Sequence, residues 1–310
     1  MVTGAAGFLG SHVVDVLLAR GTPVLAVDDL SSGQLEFLSR HRSDPAFIFV
    51  QKDIRDVAGL QELFDKHTPV ALVHLAALHF IPACVADPVR TISLNVLGTQ
   101  CVLAAARHAG IERLFFASTG DVYAPADQPH HEDHSPTVPF NIYGLSKLMG
   151  EHLVTMEAKQ RPTARFVVGR LFNLYGPRET NPHILPEILS QLRRNPQGPL
   201  RLGNLWPRRD LVPVTDAARA VVELTERAPL GVTTVNIATG VAVSMQQVLD
   251  LLGQLWGRAV VVQVDPGKLR PVERPHLQAD VTRLHKMLGW VPDADLRRGL
   301  LELLRYEGLL

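Results

Sequence analysis

Short, almost wholly apolar runs alternate along this chain with longer segments whose apolar residues recur at helical spacing. The runs cover residues 24–27, 46–50, 70–74, 113–118 and 165–171. They lack the in-and-out alternation of a half-exposed strand, so each predicts a strand covered on both faces by helices. Between them, residues 8–20 keep helical periodicity up to Gly21, and residues 89–109 carry a long apolar stripe up to Gly110. Glycine at such a point supplies the left-handed residue that stops a helix. This alternation predicts an α/β fold with a doubly wound parallel sheet.

After about residue 172 the pattern changes. Proline and arginine become more frequent, elements shorten, and strand-like pieces appear at 211–214, 232–237 and 260–264, before a last amphipathic helix over Leu296–Tyr306. A smaller α/β domain interleaved with the first is expected. Residues 1–172 with about 211–240 would form one domain, and 173–210 with 241–310 the other.

Composition narrows the partners. The 31 acidic and 31 basic residues cancel, so no global field draws the chain to nucleic acid or to an anionic membrane. An anionic ligand must then be held locally. Cys84 and Cys101 make neither a disulfide framework nor a paired-cysteine metal site, and they predict buried thiols in a reducing, cytoplasmic setting. No apolar run reaches the roughly 18 residues of a membrane span, and the first residues lack the layout of a secretory leader. A soluble protein is expected.

Candidate chemistry begins with "TGAAGFLG", which spaces Gly4, Gly7 and Gly10 three apart and opens a helix at Phe8 and Leu9. In a dinucleotide-binding turn the first glycine allows the tight bend, the second lets the pyrophosphate approach the backbone, and the third permits close helix-to-strand packing. The helix N-terminus then faces the phosphates with free N–H groups. Gly4, Gly7, Phe8, Leu9 and Gly10 are therefore candidate cofactor contacts. Eighteen residues beyond Gly10, "VLAVD" ends in Asp28, where a carboxylate can accept from ribose hydroxyls and would repel a 2′-phosphate. NAD is favoured over NADP; the alternative is that Asp28 and Asp29 only cap a turn. Just three residues precede Gly4, so the central strand that should feed the turn implies a trimmed or misassigned start rather than an unusually short strand.

A second constellation lies further on. "NIYGLSK" puts Tyr143 and Lys147 four apart, on one helix face, and "FFASTGDVY" places Thr119 and Asp121 at the C-terminal end of a buried strand. Thr119 would hydrogen-bond the reacting oxygen or the phenol. Lys147, with a positive nicotinamide ring, would lower the phenol pKa so that Tyr143 acts as a base near neutral pH.

"TGAAGFLG", "VDDLSSG", "KDIRD", "VHLAAL", "STGDVY", "YGLSK" and "RLFNLYGPR", in this order, closely resemble the extended short-chain dehydrogenases/reductases, specifically the NAD-dependent nucleotide-sugar epimerase/dehydratase group. The likeness runs from residue 1 to roughly 300. It implies an NAD-binding Rossmann domain, a nucleotide-sugar substrate and a homodimer packed through helices near 96–108 and 143–159. Further cofactor contacts implied by it are Asp53 and Ile54 at the adenine, Ala76 and Ala77 beside the pyrophosphate, Asn95 steadying the active region, Phe172 at the nicotinamide, and Tyr143 and Lys147 at its ribose. Implied substrate contacts are Thr119, Asn173, Arg178, Arg209 and Arg270. "HHEDH" at 130–134 has the residue types of a metal site but matches a loop of relatives, and no metal is expected. "LHFIPACVADP" falls at a substrate-side loop and leaves the sugar unspecified.

All members of the group can begin with proton removal from the sugar C4 hydroxyl and hydride transfer to NAD, giving a 4-keto sugar. Dehydratases of the group carry Thr-Asp-Glu where this chain has Thr119, Gly120 and Asp121, so their general acid is missing. A nucleotide-sugar 4-epimerase is the expected activity. Dehydratase, decarboxylase and ketoreductase chemistry are alternatives, as is a non-catalytic NAD-binding regulator.

Overall fold

The computed structural model describes residues 1–269 and 274–310. Its chain opens with β1 (Val2–Thr3), α1 (Phe8–Ala19), β2 (Val24–Asp28), β3 (Phe47–Gln51), α2 (Val57–His67) and β4 (Leu72–His74). There follow α3 (Ile81–Ala86), α4 (Pro88–Ile92), α5 (Gly98–His108), β5 (Arg113–Thr119), α6 (Ile142–Gln160) and β6 (Arg165–Leu171). The second half contributes β7 (Asn173–Tyr175), α7 (Ile184–Arg194), β8 (Leu200–Leu202), β9 (Arg208–Pro213), α8 (Val214–Arg227) and β10 (Gly231–Ile237). It closes with β11 (Ala242–Ser244), α9 (Met245–Trp256), β12 (Val262–Val264), β13 (His276–Leu277), α10 (Thr282–Leu288) and α11 (Leu296–Tyr306).

Seven parallel strands form the large sheet in the order β10-β6-β5-β4-β1-β2-β3. The five apolar runs read as doubly covered strands form β2 to β6, the strand-like piece at 232–237 supplies β10, and β1 is the strand that feeds the glycine turn. One face packs on α1, α8 and α10, the other on α2, α5 and α6. The central strand β1 is only two residues long, yet it pairs on both sides, with Thr3 between Val27 and His74. Its ladder extends by one residue, because Met1 O accepts from Val73 N at 2.9 Å and the Met1 amine donates to Ala71 O at 2.8 Å. Burial pushes that amine down to about 5.

The expected long helix at 89–109 is continuous over 88–108 but not uniform. Between α4 and α5, Ser93–Leu97 forms one wider π-type turn. By length and composition this helix could cross a bilayer; half of its span is buried against α2, α6 and β4.

A smaller sheet is built on β9, flanked by β11 and β13 at one end and by β7 at the other. Residues 211–213, expected with the cofactor-binding segment, therefore lie in the small sheet. Only β10 returns to the large one. The second apolar core, around α7, α9 and α11, packs against this region.

Candidate active site

At the C-terminal ends of β1, β2, β4, β5 and β6 lies a cleft of about 680 Å³, continuous from the glycine turn to the small sheet. This edge is where open α/β sheets bind ligands, because helix N-termini and strand-end side chains converge there.

The turn has little freedom. Gly4 sits at φ +69°, and a Cβ there would come within 2.7 Å of Ala76 N. A Cβ on Gly10 would lie 1.9 Å from the Gly4 carbonyl oxygen. Gly7 is the N-cap of α1 with no side-chain cap, which leaves the first N–H groups of the helix facing the cleft. Phe8, Leu9, Ala76 and Ala77 also line it. Asp28 accepts from Ala6 N at 2.9 Å and Leu30 N at 2.8 Å. Burial still pushes its pKa up. Each carboxylate oxygen keeps a second lone pair, so the backbone bonds fix Asp28 without using up its capacity to accept.

At the other end of the sheet, α6 is capped by Asn141, whose side chain accepts from Gly144 N at 2.8 Å. The cap sets Tyr143 and Lys147 on successive turns, both lining the cleft. Tyr143 hydrogen-bonds Thr119, and Asp121 stands beside it. Lys147 is 3% exposed, with its Nζ 4.8 Å from the Phe116 ring centre. Burial lowers Lys147 to about 8, partly opposed by Glu151. The phenol differs from expectation. Burial and the Asp121 carboxylate raise its pKa above the ordinary value, and the Thr119 hydrogen bond only moderates the rise.

Other expected contacts divide. Ile54, Phe172, Asn173 and Arg209 line the cleft. Asp53 does not, because its carboxylate is chelated by the Arg55 guanidinium two residues on and by Arg55 N at 2.8 Å. Asn95 lies beneath the wall. In the wide turn it holds both the N–H and the carbonyl of Leu78, each at 2.8 Å, and donates to Ser146 Oγ at 2.9 Å. Arg178, at φ +69°, points to Asp15 on α1 at 2.9 Å, outside the cleft. Arg270 falls outside the described residues.

Several residues in or behind the cleft were not nominated from sequence. Lys52 is adjacent to Asp53 and faces the cleft in its place. Arg274 is buried behind the Gly120–Asp121 turn, donating to Gly120 O at 3.2 Å and to Tyr123 O. His79, Glu179 and His183 line the far end. The "HHEDH" side chains disperse. His130 stacks on Tyr123 at 4.6 Å, Glu132 accepts from Asn236 N at 2.8 Å, Asp133 pairs with Arg283, and His131 stacks on His134.

The family model for the NAD dependent epimerase/dehydratase family matches residues 1–238, and the chain belongs to that family of enzymes. A UDP-glucose 4-epimerase of Mycolicibacterium smegmatis is 34% identical over 305 residues, 97% of this chain and 95% of that protein. The crystal structure of a Thermus thermophilus UDP-glucose 4-epimerase complexed with NAD superposes with a TM-score of 0.86 at 30% identity, covering 99% of this chain and 98% of that one. A Thermotoga maritima UDP-glucose 4-epimerase with UDP-glucose gives 0.88 at 29% identity, covering 98% and 97%.

Proposed function

We propose that the chain is an NAD-dependent nucleotide-sugar 4-epimerase. The observation that carries this reading is the continuity of one cleft, from the glycine turn and Asp28 to the hydrogen-bonded Thr119–Tyr143 pair with buried Lys147 one turn along. Gly4, Gly7, Gly10 and Asp28 would hold the dinucleotide, with Ala76, Ala77 and Ile54 along its length and Phe172 at the nicotinamide end. Bound NAD supplies a hydride acceptor that can also return the hydride. Tyr143 takes the proton of the C4 hydroxyl and gives it back to the opposite configuration, while Thr119 fixes the phenol. The charged form of Lys147 opposes the upward pull of burial and Asp121 on that phenol. Asn173 and Arg209, on neighbouring strands of the small sheet, would hold the diphosphate.

Gly120 favours epimerisation over dehydration. A Cβ at this position would lie 3.3 Å from the Phe172 ring, so an acid there would be directed into an apolar contact. Leu97, Leu145, Met149 and Met156 are exposed on the α5 and α6 side, which supports a homodimer packed through these helices. The unpaired, buried Cys84 and Cys101 support a reducing, cytoplasmic location.

The test is turnover of UDP-, GDP- and dTDP-hexoses, followed by product stereochemistry. Tyr143→Phe is expected to lower kcat by about 10²–10⁴-fold, the range of a lost general base, with NAD affinity retained. Undiminished turnover in that variant would overturn the mechanism.

A further inference from the structure

Two loops with no role in the reaction above meet at the sugar end of the cleft. The loop after β4 contributes His79 and Phe80, and the loop after β7 contributes Glu179, Asn181 and His183. Asn181 Nδ2 lies 2.7 Å from His79 Nε2. His79 also has a backbone partner in Ala77, so both of its ring nitrogens are engaged. Burial holds this ring neutral, with a pKa near 4. A neutral His79 that donates from Nδ1 to the Ala77 carbonyl must accept from the Asn181 amide at Nε2, and so it straps the loops together.

His183 is different. Its Nδ1 lies 2.5 Å from Glu179 Oε1, and its ring rests on Phe80 at 5.6 Å and on His79 at 6.2 Å between centres. Glu179 is buried, with 5% of its side chain exposed, whereas 38% of the His183 side chain remains open. Nε2 makes no hydrogen bond among the described residues, and the residue lines the cleft. A carboxylate behind Nδ1 fixes both the tautomer and the plane of an imidazole, leaving Nε2 as its single outward group. That nitrogen accepts when the ring is neutral and donates when it is charged, and a hydroxyl satisfies either state.

We propose that the Glu179–His183 dyad binds a sugar hydroxyl other than the one Tyr143 deprotonates, and so sets which hexose the enzyme accepts. This rests on the nucleotide-sugar reading above. A site built to pair with a hydroxyl discriminates against the analogue lacking it, because the protein group is left unpaired. A partly open imidazole gives a smaller effect than a sealed one.

The experiment compares the nucleotide-glucose that is turned over with its 2-, 3- and 6-deoxy counterparts, in wild type and in His183→Ala, with Glu179→Gln as the second variant. In wild type, one deoxy substrate should lose about tenfold or more in kcat/KM. In His183→Ala the parent substrate should fall by a similar factor, mainly through KM, and that deoxy substrate should then lose no more. Glu179→Gln, which keeps the shape, should fall in between. Equal losses for every substrate in His183→Ala would mean a purely structural loop and would overturn the proposal. Failure of wild type to turn over any nucleotide sugar would instead overturn the function it rests on.

Discussion

At Gly10 the fold leaves no room for a methyl group. The 1.9 Å approach of a Cβ to the Gly4 carbonyl is a backbone contact, so no side-chain rotation relieves it, and α1 would have to move off the turn. Gly21 makes a useful contrast, since it also ends at a helix terminus, at φ +71°, but has nothing within 4 Å of a Cβ. Gly10→Ala is therefore expected to cost about 1–3 kcal/mol of stability by overpacking and at least tenfold in NAD affinity. Gly21→Ala should cost about 1–2 kcal/mol through left-handed strain alone and leave NAD affinity unchanged. Urea midpoints and dinucleotide titration of both variants check the pair, and equal NAD affinities in the two would contradict the argument. The same scale shows what the sequence left out around an expected contact. The resemblance places Asp53 at the adenine, and the structure adds Arg55, which reaches back two residues to its carboxylate. Nothing in a linear pattern weighs a local partner against a distant ligand.

Helix α6 places Glu151 one turn beyond Lys147. Its carboxylate meets Arg170 of β6 in two hydrogen bonds, at 2.9 and 2.7 Å, and also accepts from Ser118 of β5. Both side chains of the pair are 7% exposed. Removing one member leaves a charge stranded in low dielectric, which is the costly case for buried pairs. Glu151→Ala should lose about 3–5 kcal/mol in urea unfolding, whereas Glu151→Leu with Arg170→Met should recover most of it. A double variant no more stable than the single one would show that the packing, not the stranded charge, sets the cost. At this scale the sequence was informative where an element is long and doubly buried. The strands β2, β5 and β6 follow the predicted apolar runs, and α11 has the predicted bounds. It was uninformative for β7 and β13, three and two residues long, because no period exists in so short a stretch. The wide turn at Ser93–Leu97, which seats Asn95 under Leu78, left no mark in the apolar stripe either. The glycine turn and the Tyr–Lys pair were legible because each is local. The His79–Asn181 contact joins segments 102 residues apart, and only folding brings it together. Glu179 and His183 are four residues apart, but neither their pairing nor their place on the cleft shows in the linear pattern.

Across the whole molecule, groups whose pKa burial lowers set the response to acid: the Met1 amine, His12 and three further histidines. His74 is lowered from 6.5 to about 3, and His79 and His130 to about 4, each chiefly by burial. His74 is also the middle of a chain of hydrogen bonds through the centre of the fold. The Thr99 hydroxyl donates to Asn95 O at 2.6 Å, so His74 Nε2 must donate to Thr99 Oγ1 at 3.1 Å, and Nδ1 accepts from Thr3 Oγ1 at 2.7 Å. A proton added at Nδ1 would break the bond to β1, beside the glycine turn. Each of the three rings is harder to protonate folded than unfolded, so below pH 6.5 the unfolded chain binds more protons and stability falls. The loss continues down to pH 4 for two groups and to about 3 for His74. Its slope is about 1.4 kcal/mol per pH unit for each group engaged. Asp28 and Asp210 oppose it, because burial raises their pKa and they gain protons more readily when folded. Their effect centres nearer the carboxylate range, so between pH 6.5 and 5 the histidines should dominate together with the Met1 amine, whose lowering to about 5 adds a loss of the same sign. Urea midpoints measured across that interval should fall with decreasing pH, and the fall should be shallower in His74→Gln by roughly one group's slope. An unchanged slope in that variant would mean that His74 binds a proton as readily in the folded chain as in the unfolded one, and would overturn the neutral ring that its donation to Thr99 and acceptance from Thr3 require.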